Sequence, residues 1–304
     1  MQILQIILPT FLIIGLGYMG KKYKIVEESW VHALNGFAYY VALPAVVISS
    51  LWQINLSGQT LKVLFYNALV IVCFGALTML ALSLTKLKKE QKAAFLLIAV
   101  VGNSIYMGFP IAQTTFAGHV FPLIAAAGTI QLVLGIALGL LAVEHWKTHT
   151  HGVKTYLKDF FLNPLILALL AGLILSYLNF SGSGIEVVKK TIGSLGSTAS
   201  PVALFSLGAF IYGKYSKTNF KLLAYASTVK LILIPIFVFF FLKWIQPDLF
   251  IVNSAFLLAG MPAAATTFVL AEKFKLDKTF VAEGLLVTTA LSFVSISILL
   301  SFLL

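Results

Sequence analysis

Apolar runs of about twenty residues recur from one end of this chain to the other, each long enough to cross a bilayer as a helix. Ten can be marked, at 3–20, 29–52, 61–85, 91–116, 120–146, 161–179, 186–212, 218–243, 248–272 and 278–303. In lipid a backbone must satisfy its own hydrogen bonds, which leaves only the helix for segments of this length. The expected fold class is an all-α polytopic membrane protein with ten transmembrane helices. Composition agrees: 60% of the 304 residues are hydrophobic and 10% are charged. The first run lacks a basic leader and a small-residue cleavage site, so it reads as a retained helix.

The net charge of +11 could suggest a nucleic-acid partner, but no soluble domain exists to present a basic face. All the basic residues are lysine, and their placement reads as topology. Sixteen of the 21 fall after runs 1, 3, 5, 7 and 9: Lys21, Lys22 and Lys24; Lys86, Lys88, Lys89 and Lys92; Lys147, Lys154 and Lys158; Lys214, Lys217 and Lys221; Lys273, Lys275 and Lys278. Lys62, Lys189, Lys190 and Lys243 lie on the other side, and Lys230 lies within a run. The positive-inside rule puts the sixteen in the cytoplasm, hence both termini outside, in a plasma-membrane protein. Cys73 stands alone in an apolar run, so no disulfide framework or cysteine metal site is expected.

The connection at 147–160 divides the chain into 1–146, with helices 1–5, and 161–304, with helices 6–10. Five helices per half insert the second half upside down relative to the first. The prolines echo this. Pro9 pairs with Pro164, Pro44 with Pro201 and Pro110 with Pro262, at offsets of 155, 157 and 152 residues. The expected architecture is a 5+5 inverted repeat, as in many secondary transporters. The plainer reading is that proline is common in membrane helices.

Two apolar runs are interrupted alike, at Gly102 to Pro110 in run 4 and at Gly260 to Thr267 in run 9. A broken membrane helix must recover its hydrogen bonds from protein, water or ligand. Paired Gly/Pro interruptions at corresponding places in two halves point to a transporter's binding site.

These features resemble the auxin efflux carrier family, within the bile acid/auxin/arsenite transporter superfamily, which includes plant auxin exporters and bacterial organic-acid permeases. The resemblance rests on Leu34-Asn35-Gly36 with Tyr40 to Pro44, on Asn103 to Pro110, on Gln131 with Glu144, on Ser200 to Gly208, and on Met261-Pro262 with Phe268 to Ala271. It implies crossed, broken helices 4 and 9. It also implies a scaffold of helices 1, 2, 6 and 7, a transport unit of helices 3–5 and 8–10, and a homodimer joined through the scaffold. Plant exporters carry a Tyr where this chain has Ile136, and their long cytoplasmic loop is missing here.

The candidate substrate-binding residues are Asn103, Ser104, Tyr106, Gly108 and Pro110 at the first break, and Pro262, Ala263 and Thr266 at the second, with Gln131, Lys230 and Ser50. An amide in hydrocarbon is costly unless paired, so Asn103 either donates to a substrate carboxylate or caps freed backbone groups. The small residues after Pro262 admit close approach, and a half-helix N-terminus favours an anion. Lys230 lies about twelve residues into its run, roughly 18 Å deep. It serves an anionic substrate, braces the broken helices, or exchanges a proton. Gln131 reads as a site residue or an interhelical hydrogen bond, and Asn35 as an interhelical hydrogen bond. His145, His149 and His151 sit in a solvated loop without a zinc pattern, and no metal or cofactor is expected.

The function expected is non-ATP secondary transport of a small organic anion, such as a malate- or malonate-type carboxylate or an auxin-like acid, by alternating access. A channel or sensor of the same fold, or a sodium-coupled anion symporter, is the alternative. No Walker loop, intramembrane aspartate pair or His-Glu-x-x-His run is present, which argues against a pump or an enzyme.

Overall fold

The computed structural model describes residues 2–54, 57–116, 121–147, 162, 164–178, 180, 182–212, 220–245 and 247–303. The connection expected at 147–160 lies almost wholly outside them. Twelve helices follow in chain order: α1 Gln2–Lys22, α2 Glu28–Trp52, α3 Gly58–Ser83, α4 Lys89–Val100, α5 Phe109–Thr115, α6 Phe121–Lys147, α7 Pro164–Leu178, α8 Ser183–Phe210, α9 Phe220–Ile245, α10 Leu249–Ala259, α11 Thr266–Lys273 and α12 Lys278–Leu303. No strand occurs among the described residues. Six of the helices, α2, α3, α6, α8, α9 and α12, are long and apolar enough to cross a membrane, while α7 and α10 are shorter apolar helices.

Among the described residues, Pro44, Pro110 and Pro235 shape their helices in the same way. Three π-helical turns, Ala38–Ala42, Ser104–Gly108 and Val229–Leu233, each end two residues before a proline: Pro44, Pro110 and Pro235. Proline brings no N–H to the ladder and crowds the carbonyl four residues back, and a widened turn relieves both problems without ending the helix. Lys230 lies inside the third of these turns.

The helices pack in two groups. The latter half of α8 lies along α1, and α2 packs against α7 and both halves of α8. The α1–α8 contact is made at backbone distance. A methyl group on Gly17 would fall 2.1 Å from the Phe205 carbonyl oxygen, and one on Gly208 would fall 2.0 Å from that of Ile14. Small residues permit this close approach, a common way to join helices in lipid. In the second group α3 and α4 pack on α6, α9 on α10, and α12 on α4, α9 and α11.

The core runs through α4 and α11. Ala93 to Val101 are all buried, and so are Thr266 to Ala271. A helix apolar all round belongs inside a structure. The outer surface is apolar too, with Leu12 and Leu16 on α1, Phe240 and Trp244 on α9, and Ile298 and Phe302 on α12 exposed. A surface this rich in large hydrophobic side chains suits lipid rather than water.

Candidate substrate site at two interrupted helices

Helix α4 ends at Val100, and Val101 is extended, with φ −94° and ψ 93°. The chain re-enters a helical path at Ser104 through the π turn that leads into α5. The interruption is therefore shorter than Gly102 to Pro110. Pro110 needs only a widened turn, and the open stretch is confined to Val101 to Asn103. In the second half α10 ends at Ala259 and α11 begins at Thr266, leaving Gly260 to Ala265 between them.

The two open stretches pair with each other in an isolated antiparallel bridge between Gly102 and Ala263. Asn103 N–H donates to the Pro262 carbonyl at 2.8 Å, and Ala264 N–H donates to the Val101 carbonyl at 3.0 Å. Ala263 N–H donates to Thr288 Oγ1 of α12 at 3.3 Å, and that hydroxyl donates in turn to the Gly284 carbonyl at 2.7 Å. Each interruption thus receives hydrogen bonds that the other has freed, as backbone buried away from water requires.

A cavity of about 10 Å³ lies beside the bridge. Gly102 and Asn103 line it from one interruption and Ala264, Ala265 and Thr266 from the other. Leu43 and Val46 of α2, Ser200 of α8 and Leu132 of α6 complete its walls. This volume is near the smallest that admits a single water. The site therefore lies between the two helix groups and is small. Thr266 Oγ1 is buried here without a hydrogen-bond partner, and so is Ser104 Oγ nearby. Unpartnered buried hydroxyls are uncommon and costly.

The residues expected at the site divide clearly. Asn103 and Thr266 line the cavity, and Pro262 and Ala263 form the bridge beside it. Gly108 faces the other way, against Leu258 and Met261. Gln131 is not brought to the cavity: its Nε2 donates to Asn67 Oδ1 of α3 at 2.8 Å, while Asn67 Nδ2 donates to the Val63 carbonyl. Of the two readings of Gln131, the geometry shows the interhelical one. Ser50 is half-buried and absent from the lining. The side chains of Tyr106 and Pro110 lie outside what is described, as do His149 and His151. Asn35 overturns an expectation. Both polar atoms of its side chain are buried, and neither makes the anticipated interhelical hydrogen bond.

Lys230 is buried, with only 2% of its surface exposed, and is absent from the cavity lining. Its Nζ lies beside Gly102 of the bridge. A methyl group on Gly102 would come within 3.0 Å of Nζ and 3.6 Å of Ser104 Oγ. Leu43, Val46, Leu132 and Ser200 were not anticipated. Three are ordinary apolar helix residues, and only the juxtaposition of α2, α6 and α8 gives them a role. The Ser200-Pro201 pair was the one available signal.

A family model described as membrane transport protein matches residues 2–150 and 144–300. This chain belongs to that family, the auxin efflux carriers. Relatives of this carrier family match nearly end to end. An uncharacterised transporter of Methanocaldococcus jannaschii is 24% identical, covering 97% of each chain. A Rhizobium meliloti protein named "Putative malonate transporter" is 24% identical over 98% of this chain and 95% of its own. A Mus musculus protein named lysosomal cholesterol signaling protein is 22% identical over 94% of this chain and 36% of its own. The chain is a multi-pass membrane protein of a transporter family.

Proposed function

We propose that this carrier moves small organic anions of the carboxylate class by alternating access, without ATP. The observation that carries the reading is the antiparallel pairing of Gly102 with Ala263, formed by two interrupted apolar segments beside a small cavity lined in part by hydroxyls. Interrupted helices that meet in this way are how many secondary transporters present backbone to a substrate. Asn103 and Thr266 then hydrogen-bond the carboxylate, and the N-terminal end of α11 beside them supplies a favourable dipole. The chain crosses the plasma membrane ten times as a 5+5 inverted repeat, with both termini outside. Helices α1, α2, α7 and α8 form the scaffold that joins two copies, and the rest form the moving unit. The name of the Rhizobium meliloti relative makes malonate the first substrate to test.

The test is uptake of labelled malonate and a panel of mono- and dicarboxylates into proteoliposomes. A carrier gives uptake that saturates and is accelerated by substrate loaded inside. Flux that rises linearly with concentration indicates a channel. No flux of any acid indicates a sensor and ends this reading.

A further inference from the structure

Among the largest fully buried side chains of this protein is a lysine, Lys230. An ammonium inside a membrane protein is expensive, and such a charge is ordinarily paired or functional. Among the described residues Lys230 takes part in no ion pair. Its turn, Val229–Leu233, packs against α4 and α12, and its Nζ reaches Gly102 of the bridge, where the missing side chain makes room for it. Ser104 Oγ, buried and unpartnered, lies near the same point. The Nζ thus adjoins Gly102, which lines the cavity together with Asn103, while Lys230 itself does not line it. It is set back from the cavity lining, and among the described residues no carboxylate pairs with it.

We propose that Lys230 is a resident cation of the transport site. Its ammonium, beside Gly102, balances the charge of a carboxylate when one is bound at the bridge, so the protein needs no co-bound sodium ion to hold its substrate. Lys230 is then a positioning residue rather than a contact residue. This inference rests on the reading of the chain as an organic-anion carrier.

The experiment uses the full-length protein in proteoliposomes with malonate as the probe, comparing sodium with choline as the external cation. The wild-type protein should take up malonate equally in both. Lys230→Met should bind malonate about tenfold more weakly or worse, on the scale of losing one nearby buried charge. Its ligand-free melting temperature should be unchanged or higher, because an unpaired buried charge has gone. A brace for the broken helices would show the opposite, a lowered melting temperature without ligand. A folded Lys230→Met protein with wild-type affinity overturns the proposal. Should that variant not fold, the wild-type protein alone decides, and uptake that requires sodium overturns it. Robust but sodium-dependent uptake defeats this inference and leaves the anion-carrier reading standing. No uptake of any carboxylate defeats both.

Discussion

His32 Nδ1 lies 2.7 Å from Glu272 Oε1, tying α2 in one helix group to α11 in the other. The second oxygen of Glu272 is 2.6 Å from Lys278 Nζ, and Lys278 also stands over the Phe210 ring of α8. Beside them Lys273 sits over the rings of Tyr39 and Tyr40. A largely buried carboxylate thus joins these lysine–ring contacts in holding the two helix groups together along the lysine-rich edge. Glu272→Gln should lower stability by about 1.5–3 kcal/mol, the scale of a hydrogen bond to a charged group. His32 is mostly exposed, and His32→Ala should cost less than about 1 kcal/mol. Thermal melts of the two variants check this ordering, and the reverse order would show that Glu272 is not the keystone.

Asn103→Ala should weaken malonate binding by about 1–3 kcal/mol, the usual cost of leaving a buried partner unpaired. Titration calorimetry on the purified protein reads this directly. Unchanged affinity would move the site away from the bridge.

Asn67 and Gln131 should behave as one unit. Each alanine variant should cost about 1–3 kcal/mol of stability, and the double variant clearly less than the sum, because both share one hydrogen bond. Transport per folded molecule should be unchanged. A transport defect in Gln131→Ala without loss of stability would return that residue to the substrate.

Gly17 and Gly15 offer a controlled contrast on one helix. A methyl group at Gly17 meets backbone at 2.1 Å, whereas one at Gly15 meets nothing within 4 Å. Gly17→Ala should destabilise by about 1–3 kcal/mol or more through overpacking. Gly15→Ala should be neutral or stabilising by up to about 1 kcal/mol. Melting temperatures decide, and equal effects would mean that α1 and α8 are not packed at backbone distance.

Topology can be read chemically in a Cys73→Ala background. Thr150→Cys should be protected from an impermeant thiol reagent in intact cells, and Ser57→Cys should be labelled, as the lysine asymmetry requires. Swapped labelling would reverse the orientation.

Much of the fold was legible because lipid allows so few options. Runs of twenty apolar residues become helices, and Gly102 and Gly260 stand where two of them stop. The extent of the first break was not legible. Pro110 looks like part of it, yet a π turn absorbs that proline, as similar turns absorb Pro44 and Pro235. Gln131 was ambiguous because a polar residue in an apolar run looks the same whether it bonds a neighbour or a substrate. The cavity walls at Leu43, Val46 and Leu132 were invisible, since nothing in a leucine's sequence context says which helix it will face. Asn35 was misread for the converse reason: a buried amide is expected to find a partner, and this one does not.

The cavity of about 10 Å³ beside Asn103 is too small for any carboxylic acid. A carboxylate carried as proposed would meet a different arrangement of the two helix groups, and its grip would be discounted by however seldom that arrangement is populated. If the roomier form were populated about 1% of the time, the measured Kd would be about a hundredfold weaker than the site's own. Substitutions that loosen the Glu272 contacts would then appear to tighten binding without touching the ligand, and a weak affinity in this protein would measure how seldom the door stands open.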